Sequence, residues 1–524
     1  MLLRGHRWWL LLVLGVVAAT GRAWGRALRW PLTDADAWAD VAWARHPLAE
    51  QLFVRLTGGV GGANANFWRP LAMVQFWVQR QLFGWDAAGW HAWDLGLHVV
   101  ATLLFAGFVF ATLGRRGPAV GAALLFATHP LADEVVPAVA RNLDLLLGIG
   151  VFLALLGVAR RSCGVWAAGL GCALGAKEAA ALVPVWTVTW ILLFRTDLPW
   201  GRRLRVAAGW AGAGALVVGA YLAARSQVVG GVGGYFADTE LRWGAKLAYA
   251  VQRGFVEPVL PGLTPSLGAA ATVPAQGAVV GAWVVLLGWL ARGRDRRVVG
   301  FALVVWASYV VLLGVTGTYT RRVLYVPTAG FALLACVALG EVWRRRSWPA
   351  GVVAVGWGAT AVAASPVVFP YADWGEAGRA AEVYRHLDAW ARIPDGSTVF
   401  LVDRPYRVDL DARKDRLWSR ERSLTHTAVG YSIQAWLDEV RPGLEVETVT
   451  GWILERPVVD QGATVTVDDG GVHVRRSGGR RRTMAPTAAT AIARGDVLDV
   501  TAPVGTWLMV WAGDHVEVIA GDRR

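Results

Sequence analysis

The stretch LLFATHPLADEVVPAVARNLDLLLGIG, residues 124–150, decides how the chain is read. An apolar run stops at His129-Pro130, the carboxylates Asp133 and Glu134 follow, then Arg141 and Asp144, and the chain turns apolar again. Ionisable residues are costly near a bilayer, and where they occur they mark a substrate or ion pathway. The flanks therefore predict two helices in lipid, and the turn between them predicts a functional boundary at one membrane surface.

The composition extends that reading to the whole chain. Hydrophobic residues make up 55% and charged residues 17%, with a mean hydropathy of +0.40. Such a balance excludes an ordinary soluble enzyme and fits a polytopic α-helical membrane protein. The net charge of +13 is carried by arginine, since lysine occurs only at 177, 246 and 414. The arginines sit in short clusters between apolar runs, so membrane topology accounts for them better than nucleic acid. The three cysteines form no CxxC pair, and no disulfide framework or thiolate metal site is implied.

A crossing length of roughly 20 residues gives about eleven spans. They fall near 7–24, 91–113, 117–130, 142–159, 163–176, 179–195, 205–224, 270–291, 298–316, 323–342 and 349–367. ATGRAWG is a poor small-residue cleavage site, so the first run reads as a retained span. Arg115-Arg116, Arg160-Arg161, the Arg195–Arg205 group, the Arg292–Arg297 group and Arg344–Arg346 occupy alternate loops. With the N-terminus inside, all of them lie on the cytoplasmic side, as the positive-inside rule requires. Outside are then the loop 25–90, the turn opening with His129, the loop 225–269 and everything after about 368. The expected organisation is a membrane domain over 1–367 and an extracytoplasmic α/β domain over 368–524.

Within the first outer loop, NANFWRPLAMVQFWVQRQLFGW reads as an amphipathic helix lying in the interface. In the C-terminal region, DWGEAGRAAEVYRHLDAWARI predicts a helix ending before Pro394, STVFLVD a buried strand and HTAVGYSIQAWLDEV a second helix. ATVTVDDGGVHVRR alternates about a DDGG turn and predicts a hairpin, and GGRRR (478–482) reads as a solvated loop.

Several residues have the chemistry for a site. Asp34 and Asp36 stand two apart beyond the first span, where a carboxylate can take the proton of an attacking hydroxyl. Their alternative use is an acidic turn or helix cap beside Thr33. Arg141 and Asp144 have the i,i+3 spacing of a helical ion pair, so they serve either that pairing or function. His91, Asp94 and His98 share one helical face and suit hydrogen bonding between helices better than a metal. Lys177-Glu178 sits at the outer junction of two apolar runs, as a neighbouring pair or as part of a site. Arg321 and Arg322 lie on the outer side against the charge rule, which points to an anionic ligand such as a lipid phosphate. No P-loop, nucleophile elbow, HExxH or dinucleotide glycine pattern occurs.

At these residues the chain resembles the multi-spanning GT-C glycosyltransferases, especially the TMTC-type protein O-mannosyltransferases and their bacterial relatives. The matching pieces are WRPLAMVQFWVQRQLFGWDAAGWHAWDLGLHVV, LLFATHPLADEVVPAVARNLDLLL, GAKEAAALVP and RRVLYVPTAGF, in the family's order. The resemblance implies hexosyl transfer, with inversion, from a polyprenyl-phosphate donor to a hydroxyl of a protein, lipid or glycan on the extracytoplasmic face. It places the family's acidic motif on Asp34 and Asp36, here spaced rather than adjacent, with Asp36 the favoured base. The second-loop motif matches His129, Pro130, Glu134 and Asp144, with its arginine displaced by one to Arg141. Lys177, Glu178, Arg322 and Tyr325 match later motifs, and Arg69, Lys177 or Arg322 balance the leaving phosphate. No metal or other cofactor is implied, and no nucleic-acid partner. The arginine- and alanine-rich bias points to a bacterial inner membrane. Three other readings stay open: a glycan polymerase or ligase using a lipid pyrophosphate, a transporter or flippase of lipid-linked sugars, and a non-catalytic envelope-assembly protein whose C-terminal domain recruits an acceptor.

Overall fold

A computed structural model describes residues 2–32, 35–53, 67–132, 135–229, 281, 284–293, 295–316, 321–344, 386–402, 404–406, 430–448, 450–453, 463–468, 471–476, 480–483, 490–494, 497–501, 506–511 and 516–520. The chain is a polytopic helical membrane protein. Among the described residues five stretches are long and apolar enough to cross a membrane: Arg7–Arg29, Ala87–Leu113, Val139–Ala159, Trp200–Val228 and Arg322–Glu341. Cys163–Ala176 and Glu178–Phe194 are shorter apolar helices.

The helices in chain order are α1 (Leu2–Trp24), α2 (Ala35–Trp43), α3 (Leu48–Phe53), α4 (Pro70–Phe83), α5 (Ala87–Leu113), α6 (Arg116–Thr128), α7 (Asn142–Ala159), α8 (Cys163–Ala176), α9 (Val183–Phe194), α10 (Trp200–Val229), α11 (Arg296–Thr316), α12 (Tyr325–Arg344) and α13 (Gly430–Val440). Local chemistry sets their ends. Pro70 begins α4 at a position whose N–H has no helical partner. Asp86 caps α5 by accepting from the Ala88 N–H at 3.1 Å, and Gly114 closes it in the left-handed conformation at φ +65°. The expected span at 117–130 ends earlier, at Thr128, because His129 is extended ahead of Pro130. The expected spans at 142–159 and 163–176 coincide with α7 and α8. The span at 179–195 begins instead as a 3-10 turn over Glu178–Leu182. The span at 349–367 and most of that at 270–291 lie outside the described residues.

The core is the α7–α8 hairpin, wrapped by α5, α6, α9 and α12. Glycine permits its close approach. A Cβ on Gly150 would stand 2.4 Å from the Ala173 backbone N, and one on Gly169 2.3 Å from the Ala154 N. Helix pairs in lipid gain stability from such small-residue contacts, because lipid removes the hydrophobic drive for association. The arginine-rich turns gather at one end of this bundle. There Arg115 pairs with Asp295 at 2.6 Å, Arg161 with Asp197 at 2.9 Å, and Arg297 reaches Thr196 at 3.3 Å.

Helix α4 corresponds to the expected amphipathic helix, and it lies against the bundle with Ala72, Met73 and Phe76 buried. The described residues of the C-terminal region are mostly β. Strands β1 (Thr398–Val402), β3 (Glu445–Thr448), β10 (Trp507–Trp511) and β11 (Val516–Ala520) form one sheet in the order β11-β10-β1-β3. Its central strand β1 runs parallel to both neighbours, and α13 covers the sheet. The DDGG hairpin forms as β5 (Ala463–Asp468) and β6 (Gly471–Arg476), paired antiparallel with Asp468 opposite Gly471.

Two expectations are corrected here. Arg480, Arg481 and Arg482 of the supposed loop belong to a strand, β7 (Arg480–Thr483), whose backbone is paired antiparallel with β4 (Thr450–Ile453). The backbone pairing outweighs the arginine side chains, which alone suggested solvent. The helix expected to run to Ile393 ends as a 3-10 turn over Asp388–Arg392, preceded by an extended Leu387 and followed by Pro394. Its earlier part lies outside the described residues.

The hairpin contact gives a paired prediction. Gly169→Ala places a methyl against the α7 backbone and is expected to lower unfolding stability by about 1–3 kcal/mol. Gly171→Ala, with nothing within 4 Å of its Cβ, is expected to leave stability equal or slightly higher. Thermal unfolding of the two variants in detergent checks the difference.

Candidate functional site

The site grows from the hairpin's geometry. Helices α7 and α8 are antiparallel and joined by a short turn, so the end of α8 returns to the start of α7. Asp144 lies in the first turn of α7, and Lys177 follows the last residue of α8. Each charge has the sign its helix end favours. The Lys177 Nζ donates to Asp144 Oδ1 at 2.5 Å, with both side chains largely buried. Burial pushes the Lys177 ammonium below its ordinary range, while the Asp144 carboxylate pulls it back.

Lys177 is extended at φ −161°, so the chain turns between it and Glu178. The two neighbours therefore take different partners rather than each other. Glu178 accepts from Arg69 at 3.3 Å and pairs with Arg225 at 3.6 Å. Arg69 precedes α4 and lies over the Phe67 ring at 4.2 Å. Arg225 comes from α10, and one turn earlier Tyr221 stacks on Trp68 at 5.6 Å and donates to its carbonyl at 3.1 Å. Three cations and two carboxylates from α4, α7, α8 and α10 thus converge at the bundle end away from the arginine-rich turns.

Beneath this cluster, Tyr325 at the start of α12 is buried and packs on Gly148, one turn beyond Asp144. Its hydroxyl is 2.7 Å from His98 Nδ1, and His98 Nε2 is 3.1 Å from the Ala127 carbonyl. A carbonyl only accepts, so Nε2 carries the proton and Tyr325 donates to Nδ1. His98 therefore ties α5 to α6 and α12, and His91 Nε2 approaches the Pro31 carbonyl at 3.3 Å. A polar layer of α4, α5 and α7 lies alongside. In it Gln79 Oε1 accepts from Asn142 at 3.0 Å and from Gln75 at 3.2 Å, facing the buried Asp94.

The remaining expected site residues divide clearly. His129 is buried; its Nδ1 accepts from the Leu131 N–H at 3.2 Å, and its ring meets Phe331 edge-on at 5.5 Å. Here it shapes the turn. Arg141 closes the 3-10 turn before α7, and Arg322 lies one turn before Tyr325; both are half-buried. Asp36 lies on α2. Asp34, Asp133 and Glu134 lie outside the described residues. The structure therefore brings together Arg69, Asp144, Lys177 and Glu178, and adds Arg225. Sequence reasoning missed Arg225, although it carries the signal applied to Arg321 and Arg322: an arginine at the wrong end of a span.

No family model matches the sequence. The chain is similar to mouse protein O-mannosyl-transferase TMTC1, with 30% identity over 153 residues. That alignment covers 28% of this chain and 16% of the mouse protein.

The buried pair yields a stability prediction. Lys177→Met leaves Asp144 without its cation in a buried setting and is expected to cost about 3–5 kcal/mol. Adding Asp144→Leu is expected to restore most of that loss, since two apolar groups replace two charges. A double-mutant cycle of unfolding in detergent checks it, and equal losses in single and double variants contradict it.

Proposed function

We propose that the chain is a membrane glycosyltransferase of GT-C architecture with about eleven spans. It transfers a hexosyl group from a polyprenyl-phosphate donor to a hydroxyl on the extracytoplasmic face. One observation carries the reading: the buried convergence of Arg69, Lys177 and Arg225 with Asp144 and Glu178 at a single bundle end. The similarity to a stretch of a protein O-mannosyl-transferase supports the reaction class. The positive-inside rule applied to the opposite, arginine-rich end supports the sidedness, and the arginine- and alanine-rich composition supports a bacterial inner membrane as location.

In this mechanism Asp36 or Asp34 takes the acceptor hydroxyl proton as the oxygen attacks the anomeric carbon. The carbon–oxygen bond to the phosphate breaks on the opposite face of the sugar, so the configuration inverts. The leaving phosphate becomes more negative, and the cations of Arg69, Lys177, Arg225 and Arg322 stabilise it. Charges fixed in advance in a site of low polarity are effective because they need no reorganisation during the step. Positive side chains suffice for a monophosphate leaving group, and the mechanism assigns no metal. The donor's isoprenoid tail lies between the spans, with its phosphate at the charged end of the bundle. Glu134 and Arg141 order the turn around the sugar, and His129 and Tyr325 support the site from below. The acceptor is a protein, lipid or glycan hydroxyl.

The test uses purified protein in liposomes with a panel of polyprenyl-phosphate sugars, with donor consumption followed by mass spectrometry. Asp36→Asn is expected to lower turnover by about 10²–10⁴-fold, the usual range for loss of a general base. Turnover unchanged in both Asp36→Asn and Asp34→Asn removes the first loop from the mechanism.

A further inference from the structure

Helix α13 is the one helix of the C-terminal region described in contact with the membrane bundle, and it lies along α2. Its apolar face, Ile433, Trp436 and Leu437, shares a single buried cluster with Trp38 and Val41 of α2 and Trp90 of α5. Trp436 meets Trp38 edge-on at 6.4 Å, and Trp38 meets Trp85 at 6.2 Å. Such aromatic pairs contribute beyond the area they bury.

The polar edge of the same contact closes on one residue. Glu439 pairs with Arg80 of α4, accepts from the Trp85 indole at 3.3 Å, and lies 3.9 Å from Arg45 just beyond α2. Arg45 also donates to the Asp438 carbonyl at 3.1 Å, and the Arg80 guanidinium lies over the Trp85 ring at 5.2 Å. The Arg80 and Glu439 side chains are both largely buried, so this pair is screened less than a surface one. A single carboxylate thereby joins the C-terminal domain, the segment after α2 and the helix that leads from Arg69.

We infer that α13 is a latch that holds α2 on the bundle, and that Glu439 is the positioning residue that fastens it. Helix α2 carries Asp36, so under the proposed glycosyl transfer the C-terminal domain is part of the catalytic unit. The consequence for rate rests on that functional reading; the placement of α2 does not. Glu439 touches no member of the Lys177 cluster, so it acts on the placement of α2 and leaves donor binding alone.

The experiment compares Glu439→Gln and Arg80→Lys with wild type, in full-length protein in liposomes. Hydrogen exchange of the α2 amides and steady-state donor turnover are both read. Glu439→Gln is expected to lose α2 protection and to lower kcat by about 10–100-fold, the scale of a misplaced catalytic group. The donor KM is expected to stay within about twofold, and Arg80→Lys, which keeps the charge, to retain most of both signals. Unchanged α2 exchange in Glu439→Gln overturns the latch whatever the activity. Lost protection with unchanged kcat overturns the positioning role, and so does a rise in donor KM alone. A wild type inert toward every donor when hydroxyl acceptors of protein, lipid and glycan type are also supplied defeats the functional reading, while exchange still decides the latch.

Discussion

The buried pair of Asp144 and Lys177 is the constraint on which this molecule's organisation depends. Neither charge is stable alone inside a helical bundle, so the two helix ends that bear them must meet. That meeting fixes the register of the α7–α8 hairpin, and the glycine contacts along it let the helices come close enough. With Lys177 held, the extended backbone turns Glu178 the other way, toward Arg69 and Arg225. One ion pair thus places the starts of α4 and α7, the end of α8 and the last turns of α10 at one end of the bundle.

The second layer of organisation is the joint between this end and the C-terminal region. Buried tryptophans from α2, α5 and α13 share one core with strands of the parallel-centred sheet. A loosely tethered recruitment module has no need of such a core. The joint makes α2 a shared element, with one side toward the bundle and the other toward α13. The polar layer of Gln75, Gln79, Asp94 and Asn142 lies in the neighbouring part of α4, α5 and α7 and adds directional bonds to that packing.

Much of the fold was legible in the sequence because lipid imposes a simple code. Apolar runs of the right length gave α5, α7, α10 and α12, a shorter one gave α8, and the alternation of arginine clusters anticipated the bundle end where Arg115, Arg161 and Arg297 find partners. The hairpin of β5 and β6 was legible from strict alternation about Asp469-Gly470. Partner choice was not. Local spacing offered Asp144 to Arg141 and Lys177 to Glu178, whereas the antiparallel return of α8 joins Asp144 to Lys177. Arg225 was passed over because it falls just beyond an expected span end. The strand at Arg480–Thr483 was hidden because its pairing partner is some thirty residues away, and side-chain charge alone said solvent. The tie between Glu439 and Arg80 spans the two halves of the chain, and no local pattern announces it.

The central claim is that the charged end of the bundle recognises a lipid-linked phosphate. Native mass spectrometry of the purified protein, incubated with equal amounts of a polyprenyl phosphate and the matching polyprenol, tests it most directly. The account predicts that wild type retains the phosphate in preference to the alcohol, and that Arg225→Met loses the preference while keeping its fold. Equal retention of phosphate and alcohol by wild type contradicts it.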